Sequence, residues 1–166
     1  MQNGDILLFK GEKGLSRLIQ WGTNSIYSHI AVCVSSGMDL AIESYPRKGV
    51  RARDIRTIKN SYDIFRVKSL FSYNLEKTIS FLVSRLNQKY DTWGVVYLGF
   101  LKLVGKVFKP ANKAANRWQK SRDYFCSELV YEAFFFGGLD IVPEVSEADI
   151  TSPGDIARSA VVVLIK

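Results

Sequence analysis

One helix can be read directly from the chain, with a cysteine in or just before its first turn: Tyr124-Phe125-Cys126-Ser127-Glu128-Leu129-Val130. Leu129, Val130, Ala133 and Phe134 recur as a single apolar helical stripe. Gly137-Gly138 follow at once, with the residue type that ends a helix in a left-handed turn. The element must bury one face, and Cys126 falls at its N-terminal end. There the unpaired backbone N–H groups and the helix dipole favour negative charge, so a thiolate is stabilised. The same amides can hydrogen-bond an oxyanion forming beside the sulfur. A lone cysteine is also a common small core residue. What argues for chemistry is the chain's single histidine, His29.

His29 lies near the start of a β-rich run, Ser28-His29-Ile30-Ala31-Val32-Cys33-Val34, and Ser35-Ser36-Gly37 then reads as a turn. Asp39 to Ser44 returns as an antiparallel partner. A hairpin about Ser35 to Met38 pairs His29 near Glu43 or Ser44, within side-chain reach. A cysteine nucleophile needs a base, and the base needs a group to orient it. Cys126, His29 and Glu43 are therefore the candidate nucleophile, base and orienting carboxylate. The competing reading of Glu43 is an ordinary exposed strand carboxylate.

The remaining elements follow the same logic. Ile6 to Phe9 is a short buried strand, and Leu15, Leu18 and Ile19 mark a short helix ending near Gly22. Val50 to Arg53 and Asp63 to Val67 are further strands. Asn74 caps a helix whose apolar face is Leu75, Ile79, Leu82, Val83, Leu86 and Tyr90. The unbroken apolar run from Ala160 to Ile165 predicts a strand buried on both faces. The expectation is an α+β fold, a mostly antiparallel sheet packed against helices, with residues 1–166 as one domain.

Charge enters as a local matter. The net charge is +7, and between Thr92 and Arg122 there are seven basic residues and no acidic one. This stretch reads as an apolar and basic insertion, 92–122. Lys102, Lys106, Lys109, Lys113, Arg117 and Lys120 have helical spacing, although Pro110 argues against one unbroken helix. With Trp93, Phe100 and Phe108 beside them they suit an anionic membrane surface, more than nucleic acid. The preferred reading is a solvated face covering the cleft. The apolar run Trp93 to Leu101 is far shorter than the roughly 20 residues of a membrane span. No basic region followed by an apolar run opens the chain, which points to a cytoplasmic setting with possible peripheral membrane contact. The two cysteines, Cys33 and Cys126, make no disulfide framework. Zinc held by His29, Cys33, Cys126 and Glu43 would lack the closely spaced ligand pairs usual for that metal, so no cofactor or metal is expected.

Gly4-Asp5-Ile6-Leu7, Ser28-His29-Ile30-Ala31-Val32, Ala41-Ile42-Glu43-Ser44, Tyr90-Asp91-x-x-Gly94, Phe125-Cys126-Ser127-Glu128-Leu129-Val130 and Ser152-Pro153-Gly154-Asp155-Ile156-Ala157 stand in that order. Together they resemble the circularly permuted branch of the NlpC-like papain-fold superfamily, the YiiX-like proteins, with lecithin retinol acyltransferase a more distant relative. The resemblance implies a permuted papain-like core and a cysteine hydrolase or acyltransferase acting on an amide, ester or thioester. It favours peptide amidase or peptidase action slightly over lipid acyl transfer. It maps Cys126 as nucleophile, His29 as base and Glu43 as the polar third residue. The Cys126 backbone N–H, with Ser127 beside it, is the implied oxyanion and substrate-binding element. Tyr90 is an implied neighbour of the site, although the end of the Leu75 stripe is the preferred role for it. The alternatives are a ligand-binding module of the same fold without turnover, and a membrane-surface protein acting through residues 102–122.

Overall fold

A computed structural model describes residues 1–11, 15–89, 124–145 and 151–166 of the chain. The strands are β1 (Ile6–Phe9), β2 (His29–Ser35), β3 (Leu40–Tyr45), β4 (Gly49–Asp54), β5 (Tyr62–Val67) and β6 (Val162–Leu164). The helices are α1 (Leu15–Thr23), α2 (Leu75–Ser84), α3 (Cys126–Phe136) and α4 (Pro153–Arg158). The strands form one antiparallel sheet in the order β4-β3-β2-β1-β5-β6. Tyr90 and the basic stretch 92–122, Lys102, Lys106, Lys109, Lys113, Arg117 and Lys120 included, lie outside the described residues.

Strand alternation divides the side chains between two faces. Ile6, Leu8, Ile30, Val32 and Ile42 form one face and join Leu129, Val130, Ala133 and Phe134 of α3 in the main core. The opposite face carries Leu7, Phe9, Ala31, Cys33 and Ala41, closed by Ile55 into a smaller cluster. The stripe expected on α3 is thus the one buried, and all four of its residues are inaccessible to solvent. Burying a Leu, Val or Phe side chain stabilises by about 1.5–3 kcal/mol, so α3 is fixed against the sheet chiefly by this stripe. That contact positions Cys126 at the first residue of the helix.

The C-terminal end of α3 is held as tightly. Gly138 has φ +90° and its N–H reaches the Phe135 carbonyl, while the Leu139 N–H reaches that of Phe134, the pattern of a left-handed helix stop. Gly137 meets α2 so closely that a β-carbon there would lie 2.1 Å from Thr78 Oγ1 and 3.0 Å from the Asn74 carbonyl oxygen. Thr78 is fully buried and cannot swing away. Gly137→Ala should therefore lower the free energy of unfolding by about 1–3 kcal/mol through overpacking, measured by urea denaturation; an unchanged midpoint would refute the tight contact.

Two expectations need correction. Val162–Leu164 is a short edge strand paired only with β5, and Val163 and Leu164 are exposed. An apolar run without alternation does not reveal whether the sheet continues beyond it. In α2, capped by Asn74 as expected, the buried residues are Thr78, Phe81 and Leu82, whereas Val83 is half exposed. Thr78 and Phe81 define the contact with α3, which turns Val83 towards solvent. Among the described residues, no helix is long and apolar enough to cross a membrane.

Candidate active site

The site lies where β2 and β3 meet the start of α3. The observed pairing of Val32 with Ile42 and Cys33 with Ala41 sets the β2–β3 register, with an irregularity between Cys33 and Ser35. Continued towards His29, that register brings Glu43 opposite Ala31 and Tyr45 opposite His29. The expected hairpin was one residue off, because the irregularity inserts a residue before the turn. The shift matters: directly opposed residues share a face, so His29, Glu43 and Tyr45 project on the same side. The rings of His29 and Tyr45 meet edge to face at 5.6 Å, and Phe9 packs on the imidazole at 5.3 Å.

His29 Nε2 is 2.8 Å from Glu43 Oε2. Glu43 is not the exposed strand carboxylate of the competing reading, since its side chain is wholly buried. Arg51, directly opposite it on β4, donates from Nε and Nη2 to Glu43 Oε1 at 2.9 and 2.6 Å. Arg53 Nη1 lies 3.5 Å from the same oxygen. With Nε2 engaged by Glu43, the ring's Nδ1 is left for Cys126.

Burial alone would drive His29 towards its neutral form. Hydrogen bonding to Cys126 and to Glu43, with the charges of both, overcomes this and lifts its pKa from 6.5 to about 9. Burial likewise opposes ionisation of Glu43, but hydrogen bonds and charge from His29 and then Arg51 pull it down to about 2. The pair is therefore imidazolium and carboxylate at neutral pH, with the imidazolium able to donate a proton on its Cys126 side. Cys126 is itself buried, 5% exposed.

The other sequence candidates have different surroundings. The Ser127 side chain is buried and its hydroxyl donates to the Thr151 carbonyl at 2.7 Å, leaving the backbone N–H as its means of meeting an oxyanion. Tyr90 lies outside the described residues. Cys33 shares the sheet face of His29 but is enclosed in the small cluster with Leu7 and Ala31, where burial raises its thiol pKa. It does not share a cavity with Cys126, which belongs to the main core. Among the described residues, no group of three or more His, Cys, Asp or Glu could hold a metal ion.

Sequence reasoning missed Arg51 and Arg53. Their alternation in Val50-Arg51-Ala52-Arg53 marks one face of a strand, and pairing that strand with Ala41 to Ser44 would have brought Arg51 to Glu43. Two of the motifs that carry the resemblance serve the fold. Asp5, almost fully buried, accepts a forked pair of hydrogen bonds from Arg66 at 2.6 and 2.8 Å, tying β1 to β5. Ser152 caps α4 and Asp155 reciprocates.

Comparison with solved structures locates the fold. The chain matches that of metalloprotein YiiX from Escherichia coli O157:H7 (DUF1105) with a TM-score of 0.70, over 99% of this chain and 96% of that one. Identity is 16%, so the likeness is one of fold. No protein-family description matches the sequence, and no curated protein does.

Proposed function

We propose that this protein is a cysteine hydrolase or acyltransferase with the permuted papain-like arrangement of the NlpC-like superfamily, distantly akin to lecithin retinol acyltransferase. The observation that carries the reading is His29, held by a buried carboxylate through one ring nitrogen and interacting with a helix-N-terminal cysteine. Nucleophile, base and orienting group are what covalent acyl transfer requires.

In this reading Cys126 Sγ, as thiolate, bonds to the acyl carbon of an amide, ester or thioester, and the carbonyl electrons move onto oxygen. The Cys126 backbone N–H at the head of α3, with that of Ser127, stabilises this oxyanion. Collapse of the intermediate breaks the bond to the leaving group, which takes the proton of the His29 imidazolium. His29, now neutral, removes a proton from water or another acceptor as that group attacks the thioester. The acyl product leaves and the thiolate–imidazolium pair is restored. Peptide amides are slightly preferred over lipid acyl groups as substrates.

The similar E. coli protein is described as a metalloprotein. The donors here do not fit a resident metal at this position. Glu43 is already engaged by His29 and Arg51, with Arg53 close by, and Cys33 lies in a separate cluster.

A second reading is favoured by the burial of Cys126: a ligand-binding module of the same fold in which the sulfur is not attacked. The test compares iodoacetamide alkylation of Cys126 across pH in a Cys33→Ser background, with and without His29→Ala. Loss of His29 should slow alkylation at neutral pH by about tenfold or more. Slow alkylation indifferent to His29 would sink the catalytic reading and leave the binding module.

A further inference from the structure

Beside His29 lies a cleft of about 190 Å³ whose lining includes Ser28, His29, Tyr45, Lys48, Arg51 and Arg53. Its electrostatics are one-sided. Three basic side chains, Lys48, Arg51 and Arg53, border it, and no acidic residue does among the described residues. The carboxylate behind them, Glu43, supplies one negative charge, which His29 also draws on. Arg51 is committed to Glu43, and its guanidinium stacks over the Tyr45 ring at 4.5 Å. Arg53 touches Glu43 only at 3.5 Å, and Lys48 is exposed with no acidic partner among the described residues. The cleft therefore keeps a surplus of positive charge after its internal pairing is satisfied.

A second observation points the same way. Ser28, 4% exposed, lines the cleft with a hydroxyl that has no hydrogen-bond partner among the described residues. An unpaired buried hydroxyl costs about 1–3 kcal/mol, and an acceptor oxygen in the cleft would recover that. Gly11 and Ser16 close the wall beside Ser28: a β-carbon on Gly11 would sit 2.4 Å from the hydroxyl oxygens of both Ser16 and Ser28.

We propose that this cleft is the subsite for an anionic group, a carboxylate or a phosphate, carried by the ligand whose reacting end meets His29. Lys48 and Arg53, the latter paired with Glu43 only at 3.5 Å, supply the cationic donors, Ser28 a hydroxyl, and Arg51 holds the wall in register through Glu43. The proposal deepens the hydrolase reading by assigning its substrate to the acidic class, and it extends equally to a ligand of the binding module.

The test is titration of the whole protein with inorganic phosphate and with succinate at constant ionic strength, chloride serving as the reference anion, followed by NMR or calorimetry. Lys48→Ala and Arg53→Ala are titrated alongside, with thermal melting to verify folding. Saturable binding of either probe above chloride, weakened about tenfold in Arg53→Ala and measurably in Lys48→Ala, supports the subsite. The tighter probe assigns phosphate or carboxylate. Absence of saturable binding, or binding indifferent to both substitutions, overturns it. Cys126→Ala separates this result from the catalytic reading: it removes the nucleophile but should leave anion binding intact. Anion binding with an inert Cys126 means a binding module, while a His29-dependent Cys126 without anion binding removes the subsite alone.

Discussion

Replacing Glu43 by alanine should lower the free energy of unfolding by about 3–5 kcal/mol, the usual consequence of removing one member of a buried charge pair. The loss comes less from the attraction forfeited than from what is left behind. His29, with 16% of its side chain exposed, would keep a buried ring nitrogen without its partner, and Arg51 would lose both of its contacts with Glu43. Arg51 and Arg53 are 27% and 24% exposed, so partial rotation into water holds the loss towards the lower end of the range. Glu43→Gln keeps the shape and one acceptor oxygen, and its loss should be visibly smaller. Urea denaturation of the two variants beside wild type makes the comparison. A loss below about 1 kcal/mol for Glu43→Ala would mean that the carboxylate does not organise this site.

The same substitution separates stability from chemistry. If Glu43 orients the imidazole, Glu43→Gln should slow Cys126 alkylation even where the protein remains fully folded, because His29 is then free to turn away from the sulfur. A folded variant with unchanged alkylation would remove Glu43 from the orienting role and leave it as a structural ion partner.

Why these residues were legible differs from one to the next. The helix that opens at Cys126 could be read because its apolar stripe and its glycine stop agree, and both are local properties. Glu43 was reachable because a tight hairpin joins its strand to that of His29, although a single irregularity near Ser35 displaced the register by one residue. Arg51 and Arg53 were not found, since their partner belongs to a different strand and a basic pair on a strand ordinarily faces water. The role of Asp5 was hidden in the same way: its forked partner, Arg66, is remote in sequence, and only the β1–β5 pairing unites them. Periodicity reports what a segment buries, not whether another strand will lie beyond it. That is why Val162–Leu164 read as central and stands at the edge. The fold class followed from patterns within segments, whereas the electrostatics of the site depended on pairings between them.

The pH dependence of stability should carry the signature of the His29–Glu43 pair, with its sign fixed by the direction of each shift. His29 is raised from 6.5 to about 9, so the folded state binds its proton more tightly than the unfolded chain does. Its contribution is complete below pH 6.5 and is lost as pH climbs through about 9. Glu43 is lowered from 4.5 to about 2, so its contribution is complete above pH 4.5 and is lost as pH falls through about 2. The pair is at full strength between about pH 4.5 and 6.5. On the alkaline side, a rise of this size corresponds to a loss of about 3 kcal/mol by pH 9. Because the two shifts share the His29–Glu43 contact, with Cys126 adding to the rise of His29 and Arg51 to the fall of Glu43, the two flanks are not added. Urea midpoints taken every half unit from pH 5 to 9, in a Cys33→Ser background, should fall steadily above pH 6.5 in the parent and much less in His29→Ala. Tyr27, Tyr73, Tyr124 and Tyr131 are all raised above 10 by burial and do not titrate in this window. If parent and His29→Ala trace parallel curves between pH 6.5 and 9, the imidazole is not held as a cation, and the proton that the proposed reaction must deliver to its leaving group has no source at His29.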